Sequence, residues 1–98
     1  MTIEIKRNAE ETTIKLVGRL DTTTAPALDK TIGEDIAGTK NLVLDVKELE
    51  YISSAGLRVF LGAQKKMQKI GSMKVTNVRE EVMEVFEMTG FADILVIE

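Results

Sequence analysis

Three times in succession, a stretch of this chain with the two-residue rhythm of a β-strand gives way to one with the rhythm of an α-helix. Ile14 and Leu16 alternate with Thr13 and Lys15, after which Leu28, Ile32 and Ile36 recur four residues apart. The apolar run "NLVLDV" precedes a stretch in which Leu57, Phe60, Leu61, Met67 and Ile70 fall on one side of a helix, with Arg58, Lys65 and Lys69 on the other. "SMKVTNV" precedes "REEVMEVFEMTG", where Val82, Val85 and Phe86 face inward and Glu80, Glu84 and Glu87 outward. These two periods are what the geometry of strands and helices imposes on side-chain direction. Strand followed by helix three times over leaves few architectures open.

The start reads as a hairpin, with Ile3 and Ile5 alternating with Glu4 and Lys6 ahead of a polar turn at residues 8–11. The end, "ILVIE", reads as a last strand. The expected order is therefore β-β-α-β-α-β-α-β. Parallel crossovers are right-handed almost without exception, and most of these strands alternate, so only one sheet face should be densely covered. The expectation is a single-wound α/β fold: a mixed sheet, N-terminal hairpin then parallel strands, with helices mainly on one face. Residues 1–98 are read as a single domain. Pro26 is tolerable in a first helical turn, because its missing N–H has no intrahelical partner there; Gly38, Gly71 and Gly90 stand where helices should stop. Residues 21–24, 53–54 and 77–79 each follow a strand and should gather along one rim.

Composition narrows the chemistry. The chain has no histidine and no cysteine, so a Ser-His-Asp triad, a thiol nucleophile, a disulfide framework and a conventional zinc site are all excluded. No phosphate-cradling glycine loop is present. Net charge is −3 with both signs interspersed and only four aromatics, which argues against direct nucleic-acid binding. No apolar stretch approaches the length of a membrane span, and "MTIEIKRNAE" lacks the apolar core of a signal peptide. A cytoplasmic binding module, with no cofactor, no metal and no catalytic residue, is the expectation.

The junction "YISSAGLRVFL" carries the most specific local signal. If Ser53 caps the following helix, its hydroxyl accepts a first-turn N–H. Ser54 then sits in the first turn with a hydroxyl that capping does not need. A phosphoryl group there would meet unpaired N–H groups and the positive end of the helix dipole. Ala55 and Gly56 would leave the backbone bare enough for a second protein to approach. On spacing alone the commoner arrangement is that both serines are cap chemistry. Asp21, at the end of "GRLD", is on the same grounds a first-turn carboxylate or a rim group that orients the Ser54 hydroxyl. Asp45, inside an apolar strand, should point to the less covered sheet face.

Taken whole, the chain resembles a STAS domain, and among these the small single-domain anti-sigma factor antagonists of bacteria. The resemblance is carried by "GRLDTTTAPALDKTI", "NLVLDVKELEYISSAGLRVFLGAQKKM" and "VTNVREEVMEVFEMTGFADIL", the second being the specific segment. It implies that Ser54 is the serine phosphorylated by a cognate anti-sigma factor that is itself a protein kinase. It further implies a docking rim of Asp21, Thr23, Ser53, Ser54, Ala55, Gly56 and Arg58. The implied mechanism is partner switching: the unphosphorylated antagonist binds the kinase and frees a sigma factor, phosphorylation releases the kinase, and a phosphoserine phosphatase resets the cycle. Well-known members of the family carry aspartate where this chain has Ser53, which removes a negative charge and makes Ser53 a second candidate acceptor. An alternative within the family is a STAS subunit of a stress-sensing or lipid-transport assembly that is never phosphorylated. The oligomeric state is left at monomer or weak dimer.

Overall fold

The computed structural model describes residues 1–98, the side chain of Asp35 excepted. Strands β1 (Thr2–Asn8) and β2 (Glu11–Leu20) form the N-terminal hairpin, followed by α1 (Ala25–Asp35), β3 (Asn41–Ile52), α2 (Ser54–Ile70), β4 (Ser72–Thr76) and α3 (Glu80–Thr89). The four strands lie in the order β1-β2-β3-β4. β1 is antiparallel to β2, while β2, β3 and β4 are mutually parallel. Because spatial order follows chain order, both crossovers step the same way, and their common right hand puts α1 and α2 on one face.

The side chains confirm that sidedness. Ile14 of β2 lies beside Leu44 of β3, which lies beside Val75 of β4; Leu16, Leu42, Val46 and Met73 join them, all buried. Onto this face pack Leu28 and Ile32 of α1, Leu57, Phe60 and Met67 of α2, and Val82 and Phe86 of α3. The rings of Phe60 and Phe86 meet at 6.1 Å between centroids. The opposite face carries Thr13, Lys15, Asp45, Lys74 and Thr76, all half-buried, and Lys15 pairs with Glu48 across it at 2.7 Å. Hydrogen bonding and attraction to Lys15 hold the Glu48 carboxyl below its ordinary range, and Glu48 raises Lys15 in turn. Asp45 does lie on this open side, its Oδ1 accepting from the Lys47 N–H and from Asn77 Nδ2, each at 3.1 Å.

Three elements depart from the sequence expectation. β3 does not end with the apolar run but continues to Ile52. It does so through two register shifts against β2, between Lys15/Val17 and Gly18/Arg19. Each puts one extra residue into β3, and such bulges break the two-residue rhythm that reveals a strand. A 3₁₀ turn, Phe91–Asp93, follows α3, and the expected final strand over residues 94–98 is reduced to a single parallel bridge from Val75 to Ile97. Leu95 is buried just before that bridge. At the edge of α2, Ile70 is exposed rather than lining the core, while Ala63 and Gln64 are buried.

Two glycines illustrate opposite demands. A Cβ at Gly71 would stand 1.8 Å from the carbonyl oxygen of Lys40, where the Ser72 N–H bonds the same oxygen at 2.8 Å and opens the β3–β4 ladder. Gly33, on the exposed side of α1, has open space around its α-carbon. Gly71→Ala should therefore destabilise by about 2 kcal/mol or more, because backbone must move. Gly33→Ala should stabilise by about 0.5–1 kcal/mol through helix propensity. Urea midpoints of the two variants, moving in opposite directions from that of the wild type, are the check.

Candidate functional site

The ends of β2 and β3 define the site. Leu20 pairs with Ile52 as the last register of the two strands, and the Ser53 N–H donates to the Leu20 carbonyl at 2.9 Å. The chain then turns at once into α2. Ser53 has extended backbone, its Oγ accepts the Gly56 N–H at 3.3 Å, and its carbonyl accepts the Leu57 N–H at 2.9 Å. Ser53 is thus the N-cap, and it is half-buried. Ser54 is the first residue of α2 and is exposed. The first turn of α2 holds no carboxylate, so its positive end is not neutralised from within the helix. Arg58 is exposed one turn further on, on the Ser54 side of the helix.

Gly56 corrects the expected reason for a slim junction. It is buried, and a Cβ there would lie 2.7 Å from Leu20 Cγ and 2.9 Å from Ile52 Cγ1. Its smallness lets α2 pack down on the strand ends of its own chain rather than baring backbone for a partner. Ala55 is half-buried beside it, packed against the core.

Asp21 follows Leu20 directly and organises the turn before α1. Its Oδ1 accepts the Thr23 N–H at 3.0 Å, the Thr23 hydroxyl at 2.7 Å and the Thr24 N–H at 3.1 Å. The Thr24 hydroxyl takes the Asp21 N–H and donates to the Arg19 carbonyl, both at 2.8 Å. The Thr23 hydroxyl, with the Thr24 and Thr23 N–H groups behind it, holds the Asp21 carboxyl below its ordinary value of 3.8. Thr24 rather than Asp21 is the N-cap residue of α1, and Pro26 falls within its first turn.

Residues 21–24 and 53–54 are therefore brought together, since Asp21 and Ser53 each stand one residue beyond the paired Leu20 and Ile52. Residues 77–79 are not. The β3–β4 ladder stops at Asp45 and Thr76, and β3 runs on from Asp45 to Ile52 without β4 beside it. Arg79 instead lines a shallow depression on the open face with Lys47, Glu48 and Glu50. One rim feature escaped the sequence reading: the Arg19 guanidinium stacks over the exposed Tyr51 ring, 4.3 Å from its centroid. Arg19 and Tyr51 are register partners only because of the second bulge, so no local pattern could have joined them. Among the described residues no group of three or more acidic side chains is arranged to hold a metal ion, and no helix is long and apolar enough to cross a membrane.

A family model for the STAS domain matches residues 2–98. The chain belongs to the STAS domain family. An anti-sigma-B factor antagonist of Bacillus subtilis is 30% identical over 94 residues, spanning 95% of this chain and 86% of that protein. An anti-sigma factor antagonist from Mycobacterium paratuberculosis superposes with a TM-score of 0.88 at 24% identity, over 98% of this chain and 83% of the other. The Bacillus cell fate determinant SpoIIAA, in its phosphorylated form, superposes with a TM-score of 0.78 at 18% identity, over 99% and 91% of the two chains. At these identities the two structures speak for the fold, which in this STAS domain is the four-stranded mixed sheet with three helices described above.

The cap and the turn make distinct predictions. Ser53→Ala should cost about 1 kcal/mol in urea unfolding, the usual worth of a lost N-cap. The Asp21 carboxyl is depressed in the folded state, so its contribution is present above the unfolded value near 3.8 and is lost as pH falls through the lower folded value. Its side-chain carboxyl resonance should titrate below the ordinary aspartate range, and Thr23→Ala should move it back up.

Proposed function

We propose that this STAS domain is an anti-sigma factor antagonist switched by phosphorylation of Ser54. What carries the reading is the division of labour at the start of α2: Ser53 Oγ occupies itself with the Gly56 N–H, while the neighbouring Ser54 is exposed in the first turn. The likeness to a relative named as an anti-sigma-B factor antagonist supports the same class of partner.

In the unphosphorylated state the exposed start of α2, flanked by Thr23 and the Asp21 turn and by Arg58, docks on an anti-sigma factor that is also a serine kinase, and so frees a sigma factor. In the transfer step, Ser54 Oγ attacks the γ-phosphorus of ATP held by the kinase. The bond from that phosphorus to the β,γ-bridging oxygen breaks, the hydroxyl proton passes to a base of the kinase, and ADP leaves. The product brings about −1.5 to −2 charge to a position that had held a neutral hydroxyl. Within the chain that charge is tolerated, because it sits at the positive end of α2. Across an interface fitted to a neutral hydroxyl it is not, and the kinase dissociates. A phosphoserine phosphatase hydrolyses the ester and restores the docking surface. Ser53 is poorly suited as the acceptor, being half-buried and engaged in the cap.

Incubation with the cognate kinase and ATP, followed by mass spectrometry, should find one phosphate on Ser54. Ser54→Ala should abolish labelling and keep binding; Ser54→Asp should weaken binding at least about tenfold by partial mimicry of the ester. Ser53→Ala should still be labelled. Phosphate on another residue, or equal partner binding by the Ser54→Asp and wild-type chains, overturns the proposal.

A further inference from the structure

We infer that the free edge of β1 is a self-recognition strand, pairing antiparallel with β1 of a second copy of this chain to give a weak two-fold dimer with one continuous eight-stranded sheet. β1 ends the strand order, so one row of its backbone N–H and C=O groups has no partner strand. The strand is regular: seven residues, Thr2–Asn8, pair with β2 without a register shift, and it contains no proline, glycine or bulge. Those are the devices that usually blunt an exposed edge. Charged side chains are the remaining device, and here they are arranged to complement themselves.

One register overlaps the whole strand while satisfying both the pleat and the charges. Antiparallel partners directly opposite each other must point to the same face. That condition rules out every alignment placing Ile3 or Ile5 across from Glu4 or Lys6, since the isoleucines face the helices and the charges face the open side. Centring the pair on Glu4 sets Glu4 against Glu4 of the second copy, and centring it on Lys6 sets lysine against lysine. Centring it on Ile5 overlaps the whole strand. Ile5 then meets Ile5, covering a side chain that is 41% exposed in the single chain. Glu4 faces Lys6 twice, Thr2 faces Asn8 twice, and Ile3 faces Arg7 twice. A parallel pairing in register would instead oppose like charges along the strand. Arg7 is not free to disturb the edge, because its Nη2 donates to the Ala37 carbonyl at 2.6 Å and pins the end of β1 below α1.

The two-fold axis of such a pair stands perpendicular to the sheet, so helices remain on one side in both copies and the two α2 N-termini point to opposite ends. Ser54 stays accessible in each, and the dimer stands or falls independently of the phosphorylation proposal. A seven-residue edge buries less area than a standard stable interface, so the association is weak and concentration-dependent.

Sedimentation velocity across roughly 10 μM to 1 mM should show reversible dimerisation of the wild type. Glu4→Lys alone and Lys6→Glu alone should each weaken it about tenfold or more, since each turns two attractive cross-strand pairs into repulsive ones. An equimolar mixture of the two variants should dimerise again, because Glu4→Lys in one chain faces Lys6→Glu in the other, and at the second pair the unchanged Lys6 of the first faces the unchanged Glu4 of the second. Both substitutions are on exposed residues of the strand, and circular dichroism checks that each variant is folded. A wild type that stays monomeric at 1 mM, variants that dimerise as well as the wild type, or a mixture that fails to recover association each overturns the inference.

Discussion

The first turn of α2 lies so close to the ends of β2 and β3 that no side chain fits at Gly56. Leu20 and Ile52 fill the space a Cβ would need. That contact sets the angle at which α2 leaves the sheet, and the angle decides the fate of the two serines. Ser53 stays in hydrogen-bonding reach of both Leu20 and Gly56. Ser54 is carried around to solvent. A bulkier residue at position 56 would tilt the helix start off the sheet and alter both environments together. Packing inside the chain and presentation outside it are thus one constraint rather than two.

The neighbouring turn is rigid for an unrelated reason. Asp21 gathers Thr23 and Thr24 onto one carboxylate oxygen, and Thr24 closes the loop back onto Arg19. The half-buried carboxylate holds its charge because several donors converge on it. Its negative charge therefore stands at a fixed place beside the start of α2. The Arg19–Tyr51 stack adds a cation and an aromatic face to the same region. A partner meeting this rim encounters a surface already in shape, and little ordering entropy remains to be lost on binding.

The sheet is built unevenly, and that unevenness has consequences. One face is closed by three helices; the other keeps ion pairs and half-buried threonines in contact with solvent. At one edge, β4 is partly shielded by the bridge to Ile97. At the other, β1 has no cover beyond the Arg7 clasp to Ala37 on its helix side. The two edges of the same sheet therefore differ in how readily they accept another strand.

Most of the element order could be read from the residues, because hydrophobic period is a local property. Ile14 and Leu16, Leu28 and Ile32, and Val82 and Phe86 are buried as their spacing requires. The cap role of Ser53 was legible for the same reason, since capping involves residues only three apart. What local spacing does not contain is register between distant segments. The two bulges that lengthen β3, the Arg19–Tyr51 pair, the clash that forbids a side chain at Gly56 and the shortfall of β4 that strands Arg79 away from Ser54 all depend on which residue of one strand faces which residue of another. The amino-acid sequence by itself determined the succession of strands and helices and the presence of a spare hydroxyl at the start of α2. Only the tertiary structure decided that this hydroxyl is exposed and what stands around it, because those facts arise from close contacts between segments that no periodicity connects.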